Sequence, residues 1–217
     1  LRVSMGQIYF WMDQGDNWKS LPADAREKIK KDLWNTMDTT LPRINEDSMP
    51  GSLANIASGR LANLFDLRGP NFITDAACAS ALAAIHTARN ALLLNQIDIA
   101  VSGGTDSVMS TQSFVEFCKI GALSATGTRP FDAGADGFVM GDGGGILVLE
   151  ELEHALKRGA TIYAEFAGFS FTADAYHITA PADGGMGAAR AIIKALDDPM
   201  AKMSKSKAYI RGHAVRL

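Results

Sequence analysis

A cysteine surrounded by small residues is the feature of this sequence best suited to nucleophilic chemistry. Cys78 lies in the run Ala76-Ala77-Cys78-Ala79-Ser80. Small neighbours allow a substrate to approach the thiol closely, as at the strand-to-helix turn that presents a catalytic serine in other enzymes. A free cysteine in such surroundings is also compatible with a packing role in the core. We predict that Cys78 is the nucleophile.

Two elements on either side of Cys78 are expected to position it. Residues 71–74 are predicted to form a short strand, and the good helix formers from Ala79 to about Gln96 predict a long helix. At a helix N-terminus, unpaired backbone N–H groups and the helix dipole favour an anion such as a thiolate. Residues 97–104 form a second apolar run, so the order strand, helix, strand predicts a parallel sheet buried on both faces.

The composition limits the classes of function. The 217 residues are 47% hydrophobic and 21% charged, which is typical of a globular protein with a core. A net charge of −3, without a basic cluster among aromatic residues, argues against nucleic-acid binding. We find no apolar run of about 18 residues, so no membrane span is expected. The chain begins with leucine and not methionine, and we interpret it as part of a longer protein.

The two cysteines lie in unlike contexts. Cys78 and Cys118 lack the spacing of metal ligands, so we expect free thiols, no metal site and a cytoplasmic protein. Cys118 lies near Phe114 and Phe117 and is predicted to be a packing residue.

The other elements follow from periodicity and from capping residues. Residues 6–12 are predicted to form a strand or a buried turn. Ser52 is predicted to cap a helix, and Gly159 to end one. The remaining predicted helices cover residues 21–40, 52–66, 110–120, 150–158 and 184–197, and the remaining strands cover residues 146–149 and 161–171.

A glycine-rich stretch precedes one of these strands. Residues 141–145 contain four glycines, which raises the possibility of a phosphate-binding loop. A dinucleotide fingerprint requires a strand, then glycines, then a helix, whereas these glycines lead directly into residues 146–149. We therefore predict that this stretch does not bind a nucleotide.

Five motifs follow one another along the chain: Asp75–Ala81, Gly121–Ser124, Arg129–Asp132, Asp136–Gly143 and Asp174–Pro181. In this order, over roughly residues 44–213, they resemble those of the β-ketoacyl-[acyl carrier protein] synthases. The resemblance implies a thiolase-like α/β fold with layers in the order α-β-α-β-α. Of this fold, residues 1–217 would form a partial ketosynthase domain, mainly its N-terminal half with the start of the C-terminal half.

The chain resembles two branches of that family. Residues 46–51 and 118–130 are more similar to ketosynthase domains of polyunsaturated fatty acid or iterative polyketide synthases. Residues 149–155 and the loop around Tyr176 and His177 are more similar to free-standing bacterial elongation enzymes.

The resemblance implies an acyltransferase that carries out a decarboxylative Claisen condensation. Cys78 would take an acyl group from the phosphopantetheine thioester of an acyl carrier protein. Two histidines would then assist decarboxylation of a malonyl thioester, whose carbanion attacks the acyl-cysteine. The implied partner is an acyl carrier protein, the implied assembly is a homodimer, and no bound cofactor is expected.

The resemblance also assigns roles to individual residues. His213 stands where the first histidine is expected, although Ala214 and Val215 replace the usual glycine and threonine after it. The second histidine, a lysine and an oxyanion loop belong to the C-terminal half of the family, so we expect this stretch to be inactive alone.

Further roles concern the substrate pocket. Phe138 would line the pocket, while His177 and Thr179 would flank the pantetheine. His86 and His154 match no motif, and we interpret them as structural.

Two alternatives remain open. A non-catalytic partner that sets chain length shares this fold, but such partners lack the cysteine that Cys78 provides. Another thiolase-superfamily condensing enzyme, of the thiolase or chalcone synthase type, is disfavoured by the loop of His177 and by Arg129–Asp132.

Overall fold

The computed structural model describes residues 2–40, 45–107, 109–178 and 180–199, in two compact units. The first unit comprises Leu1–Phe65 and the second Asp66–Leu217. The described part of the first unit is helical. Its helices are α1 (Arg2–Gln14), α2 (Asp16–Lys19), α3 (Ala23–Thr40), α4 (Ser48–Ser52) and α5 (Asn55–Leu64).

The first unit confirms one helix and corrects two predictions. Helix α3 agrees with the expected helix over residues 21–40. Residues 6–12 are helical within α1, so the prediction of a strand or turn is wrong. The aromatic residues of this stretch are compatible with a strand or a helix. In the structure, the stretch is helical and contacts α3, where the Tyr9 hydroxyl donates to the Lys30 carbonyl oxygen at 3.0 Å.

The helix expected over residues 52–66 is interrupted. Leu53 has extended backbone angles and separates α4 from α5. Ser52 is the last residue of α4, where its hydroxyl donates to the Ser48 carbonyl oxygen at 3.0 Å. The prediction of Ser52 as an N-cap is therefore wrong, because its hydroxyl bonds back into the preceding turn.

The second unit is built on one long helix and a two-stranded sheet. A 3₁₀ turn (Ala77–Ala79) leads into α6 (Ser80–Leu93), which packs against β1 (Ile99–Asp106). Strand β2 (Gly143–Glu150) pairs with β1 in antiparallel register, with Val101 opposite Val148. The remaining α-helices of the described part are α7 (Thr111–Lys119), α8 (Leu152–Lys157) and α9 (Met186–Leu196), and a second 3₁₀ turn (Asp183–Gly185) precedes α9.

The sheet differs from the predicted parallel unit. Residues 71–76 have no regular structure, so the strand expected before α6 is absent from the described chain. The partner of β1 is β2, a strand that comes after α7 and a long loop, and it runs in the opposite direction. The local sequence pattern identifies both strands. It does not identify β2 as the partner of β1, because the two strands lie about 40 residues apart in sequence.

One face of the sheet is packed and the other is exposed. Helix α6 covers the face that carries Gly104, whereas the opposite face carries exposed aliphatic side chains. The prediction of a sheet buried on both faces is therefore not met by the described residues. The exposed side chains are Ile99, Val101, Ile146 and Val148.

The later elements follow the predictions more closely. Helices α7, α8 and α9 lie inside the expected ranges, and Gly159 has the left-handed φ of 68° expected of a residue that ends a helix. Residues 161–171 form no regular strand, contrary to expectation. Instead, Phe166 and Phe169 stack with ring centroids 6.1 Å apart. None of the described helices is both long and apolar enough to cross a bilayer.

Candidate active site at Cys78

Cys78 lies in the 3₁₀ turn immediately before α6, and its side chain is exposed. The predicted position at a helix start is confirmed, although the described residues 71–76 before it form no strand. An exposed thiol is accessible to a substrate, which favours the role of nucleophile over that of a buried packing residue. We call residues 74–80 the cysteine turn.

The backbone before Cys78 adopts an unusual conformation. Ala77 has a φ of 48°, in the left-handed region, and Ala76 before it has a φ of −144°. A left-handed conformation costs a residue with a Cβ about 1–2 kcal/mol, so it persists only where other contacts stabilise it. One such contact is the Ala77 N–H, which donates to Oδ1 of Asp75 at 3.0 Å.

Ser80 makes the other contacts that hold the cysteine turn. Its hydroxyl donates to the Ala77 carbonyl oxygen at 2.6 Å and accepts from the Ala76 N–H at 2.9 Å. The carbonyl oxygen of Ser80 accepts from the Thr74 hydroxyl at 3.0 Å. Because Ser80 is also the first residue of α6, these bonds join the turn to the helix.

Strand β1 contacts the start of α6 directly. A Cβ added to Gly104 would lie 2.8 Å from the Cβ of Ala81 and 3.4 Å from its Cα. Because the backbone of β1 lies so near Ala81, a side chain does not fit at this position, which explains the glycine. The first turn of α6 is therefore placed by direct contact with the sheet.

Phe138 lies in a second irregular segment, residues 122–139, which we call the aspartate loop. Its N–H donates to the Ala122 carbonyl oxygen at 3.0 Å, and its carbonyl oxygen accepts from the Ser124 N–H at 2.9 Å. The Phe138 ring is half-buried and meets the ring of Phe117 edge to face, with centroids 5.2 Å apart. These contacts fix the orientation of the Phe138 side chain.

Asp136 is the centre of the hydrogen bonds in the aspartate loop. Its Oδ1 accepts from the Ser124 hydroxyl at 2.6 Å and lies 3.3 Å from the guanidinium of Arg129. The Thr126 hydroxyl donates to Oδ2 at 3.4 Å. The Ser124 bond is the main cause that lowers the pKa of Asp136 below its ordinary value of 3.8, and the charge of Arg129 acts in the same direction.

The other predicted site residues are described in part. His177 is exposed, and its Nδ1 accepts from the Ala180 N–H at 3.0 Å. Thr179 and His213 lie outside the described residues. The roles of Phe138 and His177 in substrate binding stay predictions.

His86 has contacts that support a structural role. Its ring stacks on Phe169 with centroids 4.7 Å apart, and its Nε2 lies 3.1 Å from Nδ2 of Asn90. It belongs to the packing between α6 and the segment that follows α8.

His154 also supports the structural interpretation. Its Nδ1 lies 2.6 Å from Oε1 of Glu150, and hydrogen bonds from Arg158 and His154 lower the pKa of Glu150 to about 2.

Cys118 does not pack as predicted. Its side chain is exposed on α7, although Phe117 beside it meets Phe138. Neighbours in sequence point in different directions on a helix, so proximity to an aromatic residue did not determine burial.

The residues that hold the cysteine turn were not singled out from the sequence. Asp75 and Ser80 belong to the motif around Cys78, but neither received a role. The available signal was their residue type, because aspartate and serine side chains near a turn commonly bond to nearby backbone groups. Among the described residues, no cluster of three or more His, Cys, Asp or Glu side chains could hold a metal ion.

Comparison with known proteins identifies what the chain resembles. The family model described as "Beta-ketoacyl synthase, N-terminal domain" matches residues 24–155. The 3-oxoacyl-[acyl-carrier-protein] synthase 2 of Rhizobium meliloti (strain 1021) is 45% identical over 161 residues, covering 71% of this chain and 38% of the relative. The chain spans between 35% and 45% of the length of the curated relatives it matches.

Solved structures of ketosynthases share the fold. One is the complex titled "AntDE:AntF (apo): type II PKS acyl-carrier protein in complex with its ketosynthase bound to the hexaketide". Its match has a TM-score of 0.68 and 33% identity, and covers 75% of this chain and 41% of that one. A β-ketoacyl synthase from Burkholderia phymatum STM815 matches with a TM-score of 0.65 and 33% identity, over 78% of this chain and 42% of that one.

Proposed function

The chain belongs to the β-ketoacyl synthase family and has its thiolase-like fold, and we propose that it carries the acyl-accepting cysteine of a condensing enzyme. The protein that contains it would make β-ketoacyl thioesters in fatty acid or polyketide biosynthesis. The observation that carries the proposal is the exposed thiol of Cys78 in a strained turn at the start of α6.

The first step is transfer of an acyl group to the protein. The Cys78 thiolate attacks the carbonyl carbon of an acyl thioester, and a new carbon–sulfur bond forms as the bond to the carrier thiol breaks. The carrier leaves as a thiolate and takes up a proton. The start of α6, where backbone N–H groups carry partial positive charge, favours the oxyanion that forms on the carbonyl oxygen.

The second step forms the new carbon–carbon bond. A malonyl thioester loses carbon dioxide, and the electron pair left on its α-carbon attacks the carbonyl carbon of the acyl-cysteine. The carbon–sulfur bond to Cys78 then breaks, which releases the β-ketoacyl thioester and restores the thiolate. Two histidines would assist this step, and His213 is our candidate for the first.

The substrates and partners follow from the same chemistry. Both acyl groups would arrive on the phosphopantetheine of an acyl carrier protein, so no bound cofactor is required. In the substrate channel, Phe138 would contact the acyl chain, and His177 and Thr179 would flank the pantetheine. We further propose a homodimer in the cytoplasm, with polyunsaturated fatty acid or polyketide synthesis as the pathway class.

The test uses the two exposed cysteines as a matched pair. In the protein expressed from its complete reading frame, Cys78→Ala should abolish covalent labelling by a radioactive acyl thioester. Cys118→Ala removes the other exposed thiol and should leave labelling unchanged. If Cys78→Ala protein is still labelled, Cys78 is not the acyl acceptor.

The same experiment separates the catalytic proposal from a non-catalytic role. A partner subunit that only determines chain length would not become acylated. Failure of the wild-type protein to accept an acyl group from its carrier would therefore favour that alternative, whereas acylation at Cys78 excludes it.

A further inference from the structure

We propose that Ser80 is a positioning residue that holds the Cys78 nucleophile in its reactive geometry. The inference rests on the proposed function, because it concerns the same thiol. The observation that supports a role for Ser80 is the pair of hydrogen bonds that its hydroxyl makes with the backbone before Cys78.

The two bonds of Ser80 act on neighbouring peptide groups. The hydroxyl accepts from the N–H of Ala76 and donates to the carbonyl oxygen of Ala77, at 2.9 and 2.6 Å. A hydroxyl can donate and accept at the same time, which an alanine methyl group cannot do. Ser80 therefore holds both ends of the Ala76–Ala77 segment with one atom.

This segment determines where the thiol points. Ala77 has the left-handed φ of 48° and is bonded directly to Cys78, so a change in its angles rotates the backbone that carries the thiol. A residue with a Cβ favours negative φ unless other contacts oppose that change. Removal of the Ser80 bonds therefore allows Ala77 to relax and Cys78 to leave its present orientation.

Ser80 also ties that orientation to α6. Because it is the first residue of the helix, its bonds keep Cys78 at a constant position relative to the helix N-terminus. Reaction at a thioester requires the nucleophile and the groups that stabilise the oxyanion to be aligned together. Loss of the bonds should thus slow acyl transfer more than it weakens the fold.

The experiment compares three variants of the protein expressed from its complete reading frame. Ser80→Ala removes the hydroxyl, and Ser80→Thr retains one. Thr87→Ala is the matched control, because the Thr87 hydroxyl donates to the Ala83 carbonyl oxygen at 2.9 Å in the same helix, away from the cysteine turn. Each variant is assayed for acyl transfer to Cys78 over a range of acyl thioester concentrations, and for stability in urea.

We expect the maximal rate of acyl transfer to fall about tenfold in Ser80→Ala, with a much smaller change in the apparent KM. Ser80→Thr should remain within about threefold of wild type and Thr87→Ala within about twofold. Equal rates in Ser80→Ala and Thr87→Ala would overturn the proposal. A loss in Ser80→Ala that Ser80→Thr does not restore would overturn it as well.

A second measurement keeps this test independent of the proposed function. The rate at which iodoacetamide alkylates Cys78, followed on its peptide by mass spectrometry, requires no acyl substrate. We expect this rate to change in Ser80→Ala and to return towards wild type in Ser80→Thr. If wild-type protein accepts no acyl group but shows this pattern, the proposed function fails while the role of Ser80 stands. If Cys78 is acylated and alkylation is the same in all variants, only the role of Ser80 fails.

Discussion

The cysteine turn and the aspartate loop each hold a candidate functional side chain in place, but they use different side-chain groups to do so. Both are irregular segments that must hold one side chain, Cys78 or Phe138, in a defined orientation. Both contain a residue with left-handed φ, which is Ala77 at 48° in the turn and Phe131 at 64° in the loop. Side-chain hydrogen bonds help to hold each segment, together with the 3₁₀ turn at Ala77–Ala79 and the isolated bridge between Leu123 and Phe138.

The two segments differ in the charge of the group at the centre. In the turn, Ser80 uses a neutral hydroxyl that bonds to two backbone groups. In the loop, Asp136 uses an ionised carboxylate that accepts from Ser124 and lies next to Arg129. The bonds of Ser80 therefore do not change with pH, whereas those of Asp136 depend on its ionisation.

The largest expected effect comes from the contact between the sheet and the cysteine turn. Gly104→Ala places a Cβ 2.8 Å from that of Ala81, so the first turn of α6 must move. Overpacking of this kind should lower the free energy of unfolding by about 1–3 kcal/mol, as measured in urea. A displacement of the nucleophile by about 1 Å should also slow acyl transfer to Cys78 by about a hundredfold.

The matched control lies directly across the sheet. Gly145 pairs with Gly104, and a Cβ added to it meets nothing within 4 Å. Gly145→Ala should therefore change neither stability nor acyl transfer appreciably. Equal effects of the two substitutions would mean that contact with Ala81 does not position the cysteine turn.

A smaller and more local effect is expected in the aspartate loop. Asp136→Ala removes the acceptor of the Ser124 and Thr126 hydroxyls and the partner of Arg129. Backbone amides of residues 122–139 should exchange with deuterium about tenfold faster, while those of residues 74–80 remain unchanged. Asp142→Ala, at an exposed carboxylate just beyond the loop, is the control. Faster exchange in both segments would show that they are not independent.

Acid should test the central carboxylate of the aspartate loop without any mutation. The pKa of Asp136 is lowered in the folded chain, so its contribution to stability is present above its ordinary pKa of 3.8 and is lost as the pH falls through the folded value. Exchange in residues 122–139, corrected for intrinsic rates, should therefore rise below pH 3.8. Asp136→Asn should make this rise much smaller. The same dependence on pH in the Asn variant would assign it to another group.

The smallest expected effect tests the weakest bond of the aspartate loop. The Thr126 hydroxyl lies 3.4 Å from Oδ2 of Asp136 at an exposed position, and a hydrogen bond this long and this open to water contributes little. Thr126→Ala should change amide exchange in the loop by less than about twofold. Ser124→Ala removes the 2.6 Å bond to Asp136 and also the acceptor of the Thr126 and Gly127 N–H groups, so it should have a clearly larger effect. The reverse order would show that the bonds of the Ser124 hydroxyl do not hold the loop.

Much of the local structure could be predicted from the sequence. The helix after Cys78, both strands of the sheet and the end of α8 at Gly159 follow from short-range signals, namely helix propensity, apolar runs and the freedom of glycine. The five motifs also identified the family, which the family model over residues 24–155 confirms.

Two of the errors concern properties that depend on contacts distant in sequence. The antiparallel partner of β1 and the helical state of residues 6–12 depend on neighbours that a short window does not contain. Local propensity is a weak guide in such places, because tertiary packing overrides it.

The sequence by itself determined that Cys78 begins a helix and that its chain belongs to a family of condensing enzymes. Residue type and order suffice for both, since helix propensity is local and motifs are read along the chain. Only the tertiary structure decided how the thiol is held: the left-handed Ala77, the two bonds of Ser80 and the contact of Gly104 with Ala81. These features depend on which atoms meet in space, and residue types alone do not specify that.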